Sequence, residues 1–337
     1  MKAVFFDQNG GPEVLGYGEV STPIPKKGEA LIKVKACALN HLDLWLRKRP
    51  ITFKGPHIPG SDVAGVVEEV NGKSKFRPGD EVIINPAIPC GTCQPCKNNQ
   101  PCELVTIFGA KTQGGYAEYV TVPIPQVYAK PKNASFAEAA AFPLTFLTAW
   151  HMLVGRANVK KGETVFVWGA SGGLGSAGIQ IAKNRGARVI AAARSKEAGE
   201  KIKAMGVDRT VNYTEEDAVQ QVKNYTQGKG VDIVFDSVGA KTWNASLAML
   251  RPHGKLVYAG TTSGDMVTFD ASDVYYYQQS ILGARMGTKK EFEMVLKLFS
   301  QGKLKPMVDK VFPLHRAREA QQCLEEGKQM GKVVLEM

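Results

Sequence analysis

Short apolar or alternating runs dominate the first third of the chain: Val4–Phe6, Ala30–Val34, Val63–Val70, Glu81–Ile84 and Tyr116–Val122. Turn chemistry separates them, in Pro59-Gly60, Asn71-Gly72, Pro78-Gly79-Asp80 and Gly114-Gly115. Closely spaced strands broken by such turns predict a small barrel-like domain. From about residue 124 the pattern changes. Apolar strands at Val165–Trp168, Val189–Ala193, Thr210–Asn212, Ile233–Asp236, Lys255–Ala259 and Ile281–Gly283 alternate with helical segments. That alternation predicts an α/β unit with a parallel, doubly wound sheet. Helices at Lys290–Ser300 and around Arg316–Glu326 then precede a closing strand, Lys332–Glu336, expected to rejoin the first domain. The expected division is residues 1–123 with 286–337, around an inserted unit 124–285. A long uncharged stretch, Ala139–Gly155, reads as one buried helix, too short and too polar to span a membrane.

The second unit is organised around Thr164–Gly175, Thr-Val-Phe-Val-Trp-Gly-Ala-Ser-Gly-Gly-Leu-Gly. A β-branched and aromatic run enters a glycine cluster, and a helix-compatible segment, Ser176–Asn184, leaves it. Strand, glycines and helix in that order make a dinucleotide-binding turn. Glycines let the backbone approach a pyrophosphate, and the helix start presents free N–H groups to the anion. Ala170, Ser171, Gly172, Gly173, Leu174 and Gly175 are the candidate contacts. Ser237-Val238 and Gly260-Thr261 follow later strands, where ligands collect in such sheets.

Composition changes little. The 337 residues allow two domains, and 44% hydrophobic with 22% charged residues is ordinary for a globular chain. The net charge of +11 is scattered, without a long basic run, so it suits an anionic cofactor and gives no nucleic-acid partner. The chain opens on a strand-like Lys-Ala-Val-Phe-Phe with no apparent signal peptide, so a cytoplasmic location is expected.

Cysteine spacing adds a metal. Cys90, Cys93 and Cys96 make two Cys-x-x-Cys steps, with Cys102 close behind, and four thiolates at such spacing can close one structural Zn²⁺ site per chain. Cys37 and Cys323 stand alone and read as small buried side chains.

These features meet others that carry a family likeness: Asn40-His41-Leu42-Asp43, Ile58-Pro59-Gly60-Ser61-Asp62, Ala64-Gly65-Val66-Val67, Pro78-Gly79-Asp80-Glu81-Val82, Gly114-Gly115-Tyr116-Ala117-Glu118-Tyr119 and Gly331-Lys332-Val333-Val334. With the glycine turn, they resemble, nearly end to end, the medium-chain dehydrogenase/reductase superfamily of zinc alcohol dehydrogenases and quinone or enoyl reductases. The resemblance implies a GroES-like β-barrel catalytic domain joined to a Rossmann cofactor domain. It also implies a zinc lobe at about residues 86–105, although the family's usual gap before the fourth cysteine is longer than the one here.

Zinc alcohol dehydrogenases of this family hold a second, catalytic zinc. The resemblance places its ligand positions on Asn40, Ser61-Asp62 and Leu144, a poor donor set. Asp62, Asp43 or His57 could still improvise a site. The family's proton-relay hydroxyl falls on Leu42 and is absent. Without a metal, a substrate carbonyl must be polarised by hydrogen bonds, for which Asn40 and Ser61 are the candidate donors. The alternative for Asn40 is a side chain that satisfies turn backbone. Asp43 reads as a supporting carboxylate.

The cofactor's identity turns on the second strand's end. NAD enzymes usually place a carboxylate there; here Ala193 is followed by Arg194-Ser195-Lys196, and Glu197 falls in the next helix. A guanidinium fork, a hydroxyl and an ammonium favour a 2′-phosphate, hence NADP(H) over NAD(H). The resemblance adds Tyr213 beside the adenosine phosphate, and His41 and Lys332 near the pyrophosphate. The substrate pocket is expected between the domains, with apolar walls drawn from Trp45, Phe53, Leu144 and Tyr275–Tyr277. Such walls suit a quinone, an enone or a bulky ketone. The family pairs the strand Ile281–Gly283 across a two-fold axis, so a homodimer or homotetramer is expected. Three classes stand: a zinc-independent NADPH reductase, a zinc alcohol dehydrogenase with atypical ligands, and a non-enzymatic NADPH-binding protein.

Overall fold

The computed structural model describes residues 1–49, 55–98 and 100–337. It forms two compact units, one built from Met1–Leu144 with Thr288–Met337 and the other from Thr145–Gly287. The boundary lies at Leu144, beyond the expected 123, because the strand Val127–Ala129 pairs with Glu81–Ile84 inside the first unit's sheet.

That sheet is centred on Glu29–Ala38. Asp62–Asn71, Tyr119–Pro123 and Lys332–Glu336 all pair with it antiparallel. Ala30, Leu31, Ile32, Val34, Ala36, Cys37 and Ala38 of the central strand are buried, so it is apolar on both faces, as a covered strand must be. The register Val334↔Ala38 continues into a bond from Leu39 N–H to Val333 O (2.9 Å). This pairing carries Lys332 to Asn40, although 292 residues separate them.

In the second unit six parallel strands lie in the order Arg209–Asn212, Arg188–Ala193, Thr164–Val167, Val231–Asp236, Leu250–Tyr258 and Ser280–Gly283. Numbered along the chain this is 3-2-1-4-5-6, the doubly wound order of dinucleotide-binding sheets. Strand order reverses between Thr164–Val167 and Val231–Asp236, the position where such sheets open a crevice.

The stretch Ala139–Gly155 is not one helix. Phe136–Ala140, capped by Ser135 and Glu138, ends before Phe142. A second helix starts at Pro143, whose missing N–H suits a first turn, and runs to Trp150 before passing into a wider π-type turn at His151–Arg156. Among the described residues no helix is long and apolar enough to cross a membrane.

Candidate active site

Asn40 precedes the helix His41–Lys48, and Asp43 in its first turn accepts from the Asn40 backbone N–H at 2.8 Å. Asn40 spends its side chain elsewhere. Its Nδ2 donates to Asp62 Oδ2 at 2.9 Å, while Lys332 Nζ donates to Asn40 Oδ1 at 2.6 Å and to Asp62 Oδ2 at 3.1 Å. The three side chains form a closed triangle in which every pair is bonded. Asp62 is fully buried, and Asn40 and Lys332 are 7% and 5% exposed. The other Asp62 oxygen accepts from the Leu144 backbone N–H at 2.8 Å.

Of the positions that the resemblance assigned to a catalytic zinc, Asn40 and Asp62 are therefore bonded to an ammonium, and Leu144 reaches Asp62 through its backbone N–H. Lys332 neutralises Asp62 and fixes the Asn40 amide with oxygen toward Nζ and nitrogen toward the carboxylate. The improvised metal set does not assemble: His57 lies 2.9 Å from Gly109 O through Nε2 and packs edge-on to Phe6. Among the described residues, the cysteine quartet is the one cluster of at least three metal-ligating side chains. Two buried atoms next to the triangle in sequence lack a hydrogen-bond partner among the described residues, Ser61 Oγ and Asp43 Oδ1.

Burial pushes the Asp43 carboxyl up to about 6, with the Asp62 charge adding to the shift. Tyr116 O–H donates to its Oδ2 at 3.3 Å. Burial, and then the Lys332 charge, lower His41 to about 4, so its imidazole is neutral at pH 7. Asp43→Asn keeps an oxygen for both hydrogen bonds but removes the titration. A carboxyl raised on folding is favoured protonated, so wild-type stability relative to this variant falls as pH rises from about 4 to about 6 and stays low above. Thermal denaturation of both proteins from pH 4 to 8 tests this; a gap that does not change with pH contradicts it.

The cofactor positions of the second unit gather at the C-terminal ends of neighbouring strands. Gly169 takes a left-handed φ of +62° as the chain leaves Val167. The helix Gly173–Asn184 starts from an extended Gly172. A Cβ on Gly175 would stand 2.1 Å from Gly169 O, so that close turn admits only glycine. Ala170 is buried, while Ser171, Gly172, Gly173 and Leu174 are half-exposed. Arg194 is half-buried and follows the next strand, with Ser195 capping a helix whose Glu197 pairs with Lys201. Lys196 is exposed, and Tyr213 stands edge-on to Trp168 at 5.7 Å. Asp236 shapes the loop with Ser237 and Val238 by accepting from Val238 N–H (2.7 Å), Gly239 N–H, Thr242 and Ser246. Thr261 follows Gly260 and donates its hydroxyl to Asp265. These residues fit a dinucleotide: a helix start, a glycine turn and cationic side chains lie at one sheet end.

The cysteines also fit their metal. Sulfur pairs lie at 3.9 Å (Cys90–Cys96), 3.4 Å (Cys93–Cys96), 3.9 Å (Cys93–Cys102) and 3.5 Å (Cys90–Cys102). Bonds of about 2.3 Å to a tetrahedral zinc put sulfurs roughly 3.8 Å apart. The short interval before Cys102 thus still closes the quartet.

Of the expected pocket walls, Trp45 is half-buried beside His41, whereas Tyr275, Tyr276 and Tyr277 are exposed by 75%, 73% and 42%. Phe53 lies outside the described residues.

Residues 26–132 match the alcohol dehydrogenase GroES-like domain, and residues 173–301 match the zinc-binding dehydrogenase family. A quinone oxidoreductase of Pongo abelii is 32% identical over 346 residues, covering 99% of this chain and 97% of that protein. This chain belongs to the medium-chain dehydrogenase/reductase superfamily. An NAD-dependent alcohol dehydrogenase of Sulfolobus acidocaldarius is 32% identical over the full length of both chains. The crystal structure of an NAD-dependent alcohol dehydrogenase superposes with a TM-score of 0.97 at 44% identity, covering both chains completely. The superfamily's GroES-like and Rossmann domains correspond to the two units, and its members mark the chain as an oxidoreductase acting on small molecules.

Sequence reasoning put Asn40, Ser61 and Asp62 at one site but assigned Lys332 to the cofactor alone. The triangle depends on an antiparallel register between chain segments far apart, and the Leu144 contribution is a backbone N–H that no side-chain pattern reveals.

Proposed function

We propose that the chain is an NADP(H)-linked oxidoreductase that transfers hydride to or from a carbonyl-type substrate, a quinone, enone or bulky ketone, without a catalytic zinc. The Asn40–Asp62–Lys332 triangle carries this reading: an internal ammonium satisfies the carboxylate that a metal would otherwise need. When bound, the nicotinamide supplies the hydride. The chain's own part is to hold the dinucleotide at the glycine turn, with Arg194, Ser195 and Lys196 at the adenosine end, and to offer hydrogen bonds to the substrate oxygen. The edge strand Ser280–Gly283 supports assembly as a homodimer or homotetramer.

The decisive experiment is oxidation of NADPH and of NADH over a panel of quinones, enones, ketones and aldehydes, with and without a chelator. Chelator-insensitive turnover with NADPH is expected. Inactivation by the chelator within the mixing time would favour the alcohol dehydrogenase with atypical zinc ligands, and cofactor binding without any turnover the non-enzymatic alternative. Arg194→Ala is expected to raise KM for NADPH about 10- to 100-fold, the loss of one or two charge-assisted bonds, and to leave KM for NADH unchanged. Equal changes for both cofactors would rule out 2′-phosphate recognition by Arg194.

A further inference from the structure

We infer that a cavity in the second unit, at the end of its sheet opposite the glycine turn, binds a zwitterionic α-amino acid with a large apolar side chain. The site lies apart from the cofactor turn and does not depend on the hydride-transfer reading.

The cavity has a volume of about 480 Å³, within the range of small-molecule sites. Its lining comes from places where strands begin. Lys229 stands just before Val231–Asp236, Leu250 opens Leu250–Tyr258, and Gln279 immediately precedes Ser280–Gly283. The glycine turn and the other cofactor positions follow the ends of strands instead. All six strands are parallel, so the two sites occupy opposite ends of one sheet.

Two segments of opposite charge line the cavity. Lys223 and Lys229 come from the last turn of the helix Ala218–Tyr225 and the chain after it. Asp270 and Asp273 come from the start of the helix Ala271–Tyr276. Among the described residues no ion pair joins these ammoniums to these carboxylates. The apolar part of the lining includes Leu247, Leu250 and Phe269, of which the two leucines are buried.

Gln279 adds an acceptor. Its Nε2 donates to Leu247 O at 3.3 Å, and its Oε1 is buried without a hydrogen-bond partner among the described residues. A buried acceptor in that state favours a ligand that brings its own donor. An ammonium carries three N–H donors, enough for Gln279 and the aspartates. A carboxylate on the same molecule answers the lysines, and an apolar side chain covers the leucines and Phe269. A ligand of single charge leaves one of the two segments unmatched.

Isothermal titration calorimetry with L-phenylalanine, on the purified protein with and without saturating NADPH, tests the site. A dissociation constant below about 1 mM is expected, the same within about twofold in both states. Hydrocinnamate, which lacks the ammonium, and phenethylamine, which lacks the carboxylate, should each bind at least about tenfold more weakly. Lys229→Met and Asp273→Asn should each weaken phenylalanine about tenfold, while NADPH affinity, the check on folding, stays within about twofold. No binding of phenylalanine, equal binding of either truncated analogue, competition with NADPH, or binding that survives both variants would each overturn the inference. Calorimetry needs no turnover, so a failed substrate screen would sink the hydride-transfer reading separately.

Discussion

Asp62→Ala is expected to destabilise the first unit by about 3–5 kcal/mol, the usual cost of breaking a buried ion pair from one side. Alanine leaves the Lys332 ammonium, 5% exposed, without its counter-charge. It also strips a partner from Asn40 Nδ2 and from the Leu144 N–H, each a buried donor once satisfied by Asp62. Asp62→Asn should cost less than alanine, since an amide oxygen can still take the Leu144 N–H. Adding Lys332→Met to Asp62→Asn should recover part of the loss, because no uncompensated charge then remains. Urea denaturation of the single and double variants gives the coupling energy between the two positions. A loss under about 1 kcal/mol for Asp62→Ala would mean that the triangle is not the stabilising core of this site.

Where local periodicity decided the structure, the sequence was enough. The closing strand Lys332–Glu336 lies where its short apolar run put it, and the six Rossmann strands fall within a few residues of their apolar runs, the largest shift being the start of Leu250–Tyr258. The glycine turn was legible because close approach leaves few substitutes, as the contact between a Cβ at Gly175 and Gly169 O demonstrates. The apparent helix Ala139–Gly155 failed for a local reason that hydrophobicity hides: Pro143 restarts the backbone. Lys332 was harder. Its sequence context gave a basic residue after a glycine, and nothing within reach of it along the chain is acidic except Glu336. Its partners come from register, because Val334↔Ala38 and Ala38↔Asp62 place Lys332, Asn40 and Asp62 around one end of the central strand. That Asn40, Ser61 and Leu144 are poor zinc ligands could be read from the sequence, but the ammonium bonded to Asn40 and Asp62 could not.

Removal of the lobe's metal should produce the second large effect. From Ile88 to Ile107 none of the described residues is buried, so this segment has no apolar core of its own. Its regular structure is one turn of helix, Gln94–Lys97, and a two-residue pairing of Ala87–Ile88 with Thr106–Ile107. Neither can order so long a segment against its conformational entropy. Four sulfurs at tetrahedral spacing can, since structural zinc binds such sets with about 10–16 kcal/mol in small peptides. The purified protein is therefore expected to carry one zinc per chain, and Cys93→Ser to carry none. In that variant the lobe should become the first site of proteolysis, with cleavage between residues 88 and 107, while the cofactor turn in the other unit still binds NADPH. Zinc analysis with limited proteolysis reads both outcomes. Two zincs per chain, one of them surviving Cys93→Ser, would restore a metal to the catalytic site. Zinc-free protein with a protease-resistant lobe would leave the segment's order without a physical cause.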